Sequence, residues 1–192
     1  MAEVFVLING YFRNLSKTRC VAGSTITLIM DKGKKILIDT GNPKDRDKIL
    51  EALKKHNLRP KDVDIVINTH FHPDHTGCNY LFDKSRFLVS GVAFWGDIFD
   101  RSEKMQRISS NVKIIPTPGH SEDSITILAK TDKGIVAVVG DLFWMEKDNK
   151  IKLLEDDCSD KKLFYKNRKK IFKIADWIVP GHGKMFKIKT AI

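Results

Sequence analysis

"INTHFHPDHTG", residues 67–77, decides how this chain is read. It follows an apolar run, and three histidines and one aspartate fall within six positions, 70 to 75. Polar side chains clustered in this way are costly to bury unless they are paired or hold a cation. The stretch therefore needs partners elsewhere in the sequence.

The remaining histidines point to them. There are six in all. His56 falls in a helical pattern, and the other five each follow a predicted strand. His70, His72 and His75 follow "DIVINT", His120 lies in "PTPGHS", and His182 lies in "VPGHG". Two further strands end in a carboxylate: "GIVAVVGD" at Asp141 and "KILIDTG" at Asp39. Strand ends gathered on one sheet edge are where rigid backbone aims functional side chains.

Histidine and aspartate are the usual ligands of zinc or iron. His70 and His72 are two apart, so on extended backbone they point the same way. A turn after them brings Asp74 and His75 to the other side of the same pocket. One divalent ion suits His70, His72 and His120, a second suits Asp74, His75 and His182, and Asp141 can bridge them. Two ions about 3.5–4 Å apart share a hydroxide and clamp the attacking and leaving oxygens. Bound water then ionises near pH ~7, so a nucleophile exists at neutral pH.

The elements around these residues alternate. "VFVLI", "STITLIM" and "KKILIDTG" read as strands. Asn42 and Pro43 form a helix start, with Asn as cap, and apolar spacing predicts an amphipathic helix over 43–57. "RPKDVDIVINTH" is a proline turn and a buried strand. The strands "RFLVS", "VKIIPT", "SITILAK" and "GIVAVVGD" follow, the last two joined by the turn "TDKG". Ser159 or Asp160 caps a basic helix to about residue 174, and "WIVPGHG" is a last short strand. Residues 92–99 and 141–148 read as loops that could line the pocket or, for 92–99, a homodimer interface. No repeat or linker divides the chain, so one domain over 1–192 is expected, with sheets packed on each other and helices outside.

Composition narrows the setting. The chain has 192 residues, 42% hydrophobic, which suits a globular protein with a sizeable core. Its start lacks a basic region and a cleavage site, and no apolar run reaches the roughly 18 residues of a membrane span. The expectation is a cytoplasmic protein with no membrane association. Cys20, Cys78 and Cys158 are odd in number and widely spaced, so no disulfide framework is expected. Cys78 reads as a small buried apolar residue. The net charge of +10 fits RNA or an anionic small molecule as partner, and equally a solvated lysine-rich surface with no such partner. "YKNRKKIFK", residues 165–173, concentrates that charge. Trp95, Trp144 and several phenylalanines could stack bases. Lys184, just after His182, could hold an anionic group.

The set "LIDTG", "THFHPDH", "PGH", "GD" and "GHG", in that order over nearly the whole chain, resembles the metallo-β-lactamase superfamily. The resemblance implies an α/β fold, a four-layer αββα sandwich with a two-metal site at one edge. By matching motif it implies His70, His72, Asp74, His75, His120, Asp141 and His182 as ligands. Asp39 would orient them from behind, and Asp74 would also take a proton in turnover. Two divalent ions are implied, zinc first, with iron or manganese open.

Substrate follows less directly. The expected absence of a signal peptide separates the chain from secreted β-lactamases. With ten residues after His182, the C-terminal helical domain of glyoxalase II is not expected. "TPGHSEDSITI", "VVGDLF" and "ADWIVPGHGKMFKI" resemble a compact branch of the family whose animal members resemble an endoribonuclease acting on single-stranded RNA. Phe71 and Pro73 depart from that branch, which carries smaller residues there. The leading expectation is a dinuclear metal hydrolase, a nuclease acting on single-stranded RNA. The alternatives are a thioester or lactone hydrolase, a mononuclear iron persulfide dioxygenase, and a binding module without catalysis.

Overall fold

Short apolar strands build two sheets in the computed structural model, which describes residues 1–89, 92–101, 107–148 and 157–188. The chain opens with β1 (Glu3–Ile8), then a separate hairpin of β2 (Tyr11–Asn14) and β3 (Cys20–Gly23), then β4 (Ile26–Asp31) and β5 (Lys34–Ile38). Helix α1 (Arg46–Lys55), β6 (Ile65–Ile67) and the single-turn α2 (Pro73–Thr76) lead to β7 (Arg86–Val89), β8 (Val92–Trp95) and β9 (Ile98–Asp100). The second half holds β10 (Val112–Pro116), β11 (Ile125–Thr131), β12 (Gly134–Val138), α3 (Lys161–Ile174), β13 (Trp177–Val179) and β14 (Phe186–Lys187). The larger sheet runs β1-β4-β5-β6-β7-β8-β9, and the other runs β10 to β14 in order.

Strand alternation makes the layers. Ile36 and Ile38 face the second sheet and pack with Ile67, Ile127 and Val138. Leu37, between them, faces outward onto Ile49 and Leu53 of α1. On the far side, Leu128, Ala137 and Ile178 pack against Phe164 and Ile171 of α3. Helix, sheet, sheet, helix is the expected αββα sandwich. Among the described residues no helix is long and apolar enough to cross a membrane.

Register places the working edge. β5, β6 and β7 are parallel, with Ile38 aligned to Ile67 and Ile67 to Leu88. Their C-terminal ends therefore share one edge, where Asp39 and His70 follow. In the second sheet β12 and β13 are parallel, Val138 against Val179, so Asp141 and His182 emerge together. β10 and β11 pair antiparallel with Pro116 against Ile125, and the loop between them carries His120.

Two expectations are corrected. The helix expected over 43–57 is a 3-10 turn at Pro43–Asp45 followed by α1, which ends at Lys55. As expected, Asn42 stands at the N-cap with Pro43 first, and Asp45 Oδ2 accepts from the Asn42 N–H at 3.0 Å, while the Asn42 Nδ2 donates to the Ala22 carbonyl of β3 at 3.0 Å. Residues 92–99 are not loops but the β8–β9 hairpin, with Gly96 at φ +56° in its turn. Phe87, Phe94 and Phe99 stack across it. Ser90, the last residue of the expected "RFLVS" strand, lies outside the described residues. Residues 143–148 are irregular as expected, after a 3-10 turn at Gly140–Leu142.

Helix α3 is capped by Asp160, whose side chain accepts from the Leu163 N–H at 2.8 Å. It carries seven cations and no acid. Lys162 and Lys166, Lys166 and Lys170, and Lys169 and Lys173 are like charges one turn apart, each pair costing about 0.2–0.5 kcal/mol. Packing outweighs this: Phe164 and Ile171 are fully buried, and burial of such a side chain contributes roughly 1.5–3 kcal/mol. Arg168 adds a bidentate pair to buried Asp148, at 2.8 and 2.6 Å, and donates to the Leu142 carbonyl. The helix is thereby fastened to the segment that follows Asp141.

Candidate metal centre

The edge where the strands end gathers seven donor side chains in two groups. His70, His72, His120 and Asp141 form one, and Asp74, His75 and His182 the other, each with ligand-type atoms within 4.8 Å of one another. The local sequence explains the placement. β6 ends at Ile67, and Asn68 and Thr69 carry the chain out to His70. Pro73 starts α2, whose single turn swings Asp74 and His75 inward.

Asp39 stands behind the cluster. It sits at φ +58°, a left-handed conformation that aspartate tolerates better than most residues. Its Oδ1 accepts from the Thr69 N–H at 2.7 Å and its Oδ2 from the Thr69 hydroxyl at 2.8 Å. Its Oδ2 also lies 2.8 Å from His75 Nδ1. With the Thr69 hydrogen given to Asp39, the hydroxyl lone pair faces His70 Nδ1 at 3.1 Å. Both imidazoles thus hold their Nδ1 hydrogens on the scaffold and turn Nε2 toward the centre. His182 does the same, with Nδ1 3.1 Å from the Gly23 carbonyl of β3.

Asp141 touches both groups. Its Oδ2 lies 3.0 Å from His182 Nε2 and 3.5 Å from His120 Nε2, while its Oδ1 is 3.1 Å from His75 Nε2. His120 Nε2 in turn is 3.1 Å from His72 Nδ1. The close packing requires absent side chains: a Cβ on Gly181 would sit 2.0 Å from Asp141 Oδ1. Gly140 adopts φ +52°, and a Cβ there would meet Thr69 Oγ1 at 2.5 Å.

The donors fit a divalent metal. His70 Nε2, His75 Nε2, Asp74 Oδ2 and Asp141 Oδ1 are buried with no hydrogen-bond partner. Each such orphan costs about 1–3 kcal/mol in a protein interior. Four aimed at one small volume are intelligible as metal ligands, and the nitrogen and carboxylate set suits zinc, iron or manganese.

Charge follows the same geometry. Burial and the neighbouring His75 hold the His70 imidazolium well below its usual range, and burial lowers His120. Both are then the neutral, lone-pair form that binds metal. Burial also disfavours charged His75, but Asp141 and Asp39 override it and hold its pKa well above the ordinary value. Burial lowers His182 too, and Asp141 reverses it into a raised value. Burial would push Asp141 up, yet His182 and His75 hold it well below the carboxylate range.

The surroundings sort the other expected residues. Trp144 is buried, and its ring lies 4.5 Å from Phe12, 5.5 Å from His182 and 6.4 Å from His120, a wall of the site. His72 and Phe71 are exposed at the mouth, and the Phe71 N–H donates to Asp123 Oδ2 at 2.9 Å. Trp95 is not brought to the site. It pairs with Ile98 in the β8–β9 turn, beside Arg86 at the start of β7, opposite the metal edge. Lys184 is exposed beyond Gly183, and no hydrogen bond or ion pair ties it to the ligands among the described residues. Cys78 is fully buried, its thiol donating to the Asn42 carbonyl.

Sequence reading missed Thr69, Gly23, Asp123, and the Asn68–Asn79 pair that holds the His75 carbonyl and Thr40. Asn68 and Thr69 carry a signal: they are polar residues closing an otherwise apolar strand run. Gly23 and Asp123 carry none.

The model of the metallo-beta-lactamase superfamily matches residues 21–93. Metallo-beta-lactamase domain-containing protein 1 of Xenopus laevis is 32% identical over 97% of this chain and 82% of its own length. The Rattus norvegicus protein of the same name is 34% identical over 80% of this chain, which spans 63% of that relative. A probable metallo-hydrolase of Methanocaldococcus jannaschii is 34% identical over 80% of this chain and 74% of its own. Among solved structures, a Thermotoga maritima protein described as a metallo-beta-lactamase superposes with a TM-score of 0.75 at 21% identity, covering 97% of this chain and 99% of that one. An N-acyl homoserine lactone hydrolase with product at its catalytic metal centre superposes with a TM-score of 0.68 at 18% identity, covering 94% and 92%.

Proposed function

This chain belongs to the metallo-beta-lactamase superfamily and is a metal-dependent hydrolase, and from that premise we propose that it hydrolyses phosphodiesters of single-stranded RNA at a two-metal centre. The observation that carries the two-metal reading is Asp141, which lies within 3.5 Å of donors from both groups. His70, His72 and His120 would hold one ion and Asp74, His75 and His182 the other, with Asp141 lying between the two sets. Zinc is the ion the donor set suits first.

When bound, two divalent ions supply a nucleophile from water at neutral pH and positive charge for the leaving oxygen. The protein does the rest. Asp39 and Thr69 lock the histidine rings, so the ligand nitrogens need no reorganisation. Asp74, whose buried Oδ2 has no hydrogen-bond partner and is a candidate ligand atom, would take a proton in transit on its other carboxylate oxygen. Trp144 and Phe12 exclude water from the His182 side. His72 and Phe71 are exposed, and a substrate would approach from their side. The net charge of +10 supports a polyanionic substrate.

A second reading is favoured by one observation: a structural neighbour holds N-hexanoyl-L-homoserine at its metal centre. Under it this chain opens lactones or thioesters. The test is labelled single-stranded RNA incubated with metal-loaded protein, with Asp141→Ala in parallel. Cleavage that disappears in the variant is expected. Intact RNA, with metal bound and an acyl homoserine lactone turned over, replaces the first reading by the second.

A further inference from the structure

Half of α3 is cationic and none of it acidic. Arg168 is turned inward onto Asp148 and Phe143, so it serves the scaffold. Lys162, Lys166, Lys169 and Lys173 recur at helical spacing along the outermost line, with Lys170 beside them. All five are exposed, and among the described residues none of them forms an ion pair. A helix face built for solubility mixes both signs, which also supports the helix through pairs one turn apart. This face repeats one sign and is destabilised by it.

Its position is as informative as its charge. The start of α3 is anchored on the metal-centre loop: the Ser159 N–H donates to the His120 carbonyl and the Asp160 N–H to the Gly119 carbonyl, both at 3.0 Å. The helix then runs about 21 Å away from His120. At its far end, beside Ile174, lies a cavity of about 470 Å³ lined by Arg107, Lys113 and Lys130 with Ser109 and Asn111. Lys113 and Lys130 stand on the outer face of the second sheet, the face that α3 covers. Cations thus extend from the rim of the metal centre to the opposite end of the sandwich.

We propose that the outer face of α3, continued by this cavity, is a phosphate-backbone track for single-stranded RNA leading to the metal centre. The identity of the partner rests on the RNA reading above. Two exposed aromatic rings, Tyr165 and Phe172, lie along one flank of the lysine line, where unpaired bases can stack. An anionic membrane fits less well. An interfacial helix must insert its apolar stripe into lipid, and here that stripe, Phe164 and Ile171, is buried against the sheet.

The test measures RNA binding as a function of salt in an Asp141→Ala background, with and without Lys166→Gln, Lys169→Gln, Lys170→Gln and Lys173→Gln together. Glutamine keeps helix propensity, and a melting temperature no lower than the parent's, with unchanged metal content, verifies the fold. Each phosphate contact contributes about 0.7 to the slope of log affinity against log salt for single strands. The four substitutions are expected to flatten that slope by about 3, so that between about 50 and 200 mM salt the parent loses roughly 50-fold more affinity. An unchanged slope overturns the track. Cleavage by the wild-type chain is scored separately. RNA bound through the lysines but left uncut retains the track and removes the nuclease reading. RNA cut normally with no change in slope does the reverse. Phosphatidylserine vesicles form the last arm, and vesicle binding lost in the lysine variant with RNA binding unaltered assigns the face to membranes and overturns the proposal.

Discussion

Two buried carboxylates stand at opposite ends of the sandwich, and only one of them is finished by the protein. Asp31 closes β4 at the end away from the metal edge. It accepts hydrogen bonds from the Ser109 hydroxyl and, at 2.8 Å, from Asn111 Nδ2. Burial would raise its pKa, but these bonds lower it. Both its oxygens are satisfied by neutral donors, and it ties the end of β4 to the turn before β10. Asp141 has histidines on every side and an oxygen with no hydrogen-bond partner. A carboxylate that serves structure is given N–H and O–H groups. One that serves a metal is surrounded by imidazoles whose lone pairs face the same point.

The sharpest break in this comparison is Asp141→Ala. Turnover is expected to fall by about 1,000-fold or more, since several kcal/mol of transition-state stabilisation leave with the ions. Metal content measured by plasma emission should drop below two ions per chain. Full activity in this variant would remove the two-metal reading.

Metal removal comes next. Chelation should lower the melting temperature in scanning calorimetry. Ions at about 1,000 times their dissociation constant contribute roughly 4 kcal/mol to stability. The loss should be far smaller in Asp141→Ala, where the site is already impaired. Equal melting curves with and without chelator would mean that the orphaned atoms have another partner.

Asp39→Asn tests the residue behind the ligands. Asparagine tolerates the same left-handed backbone, so the fold should persist. Loss of such an orienting carboxylate weakens metal affinity about 10–100-fold. Activity should therefore recover as metal is titrated in, a recovery that Asp141→Ala should not show.

Asp31→Asn is the smallest effect and the control. It should destabilise the chain by about 1 kcal/mol without altering metal content, since a hydrogen bond to a charged acceptor is exchanged for a neutral one. The pH dependence follows from the lowered pKa of Asp31. Its contribution is fully present above the ordinary aspartate range and is lost as pH falls through the folded value. Wild type and variant should converge in urea melts at low pH, and a constant gap would show that the charge is irrelevant.

The candidate ligands were legible in the sequence because metal chemistry restricts residue type and the strands restrict position. His120 and His182 are widely separated from His70, yet each follows an apolar run through a proline–glycine turn. The layers were legible as well, since Ile36, Leu37 and Ile38 alternate as a strand buried on both faces must. Residues 92–99 were misread because aromatic residues beside a glycine suit a binding loop as well as a hairpin. The choice was made by their stacking against Phe87. Thr69 escaped notice because a threonine before a histidine is unremarkable until Asp39 is seen beside it.

The sequence alone determined which side chains are candidate metal ligands, which strands carry them, and that the charge excess is concentrated late in the chain. Only the tertiary structure decided which atoms face one another: Asp39 behind His75, Gly23 behind His182, Asp141 between the two groups, and the lysine line beginning beside His120. These pairings depend on sheet register and on the packing of one sheet against the other. Both are set by contacts between residues distant in the chain, which no local pattern records.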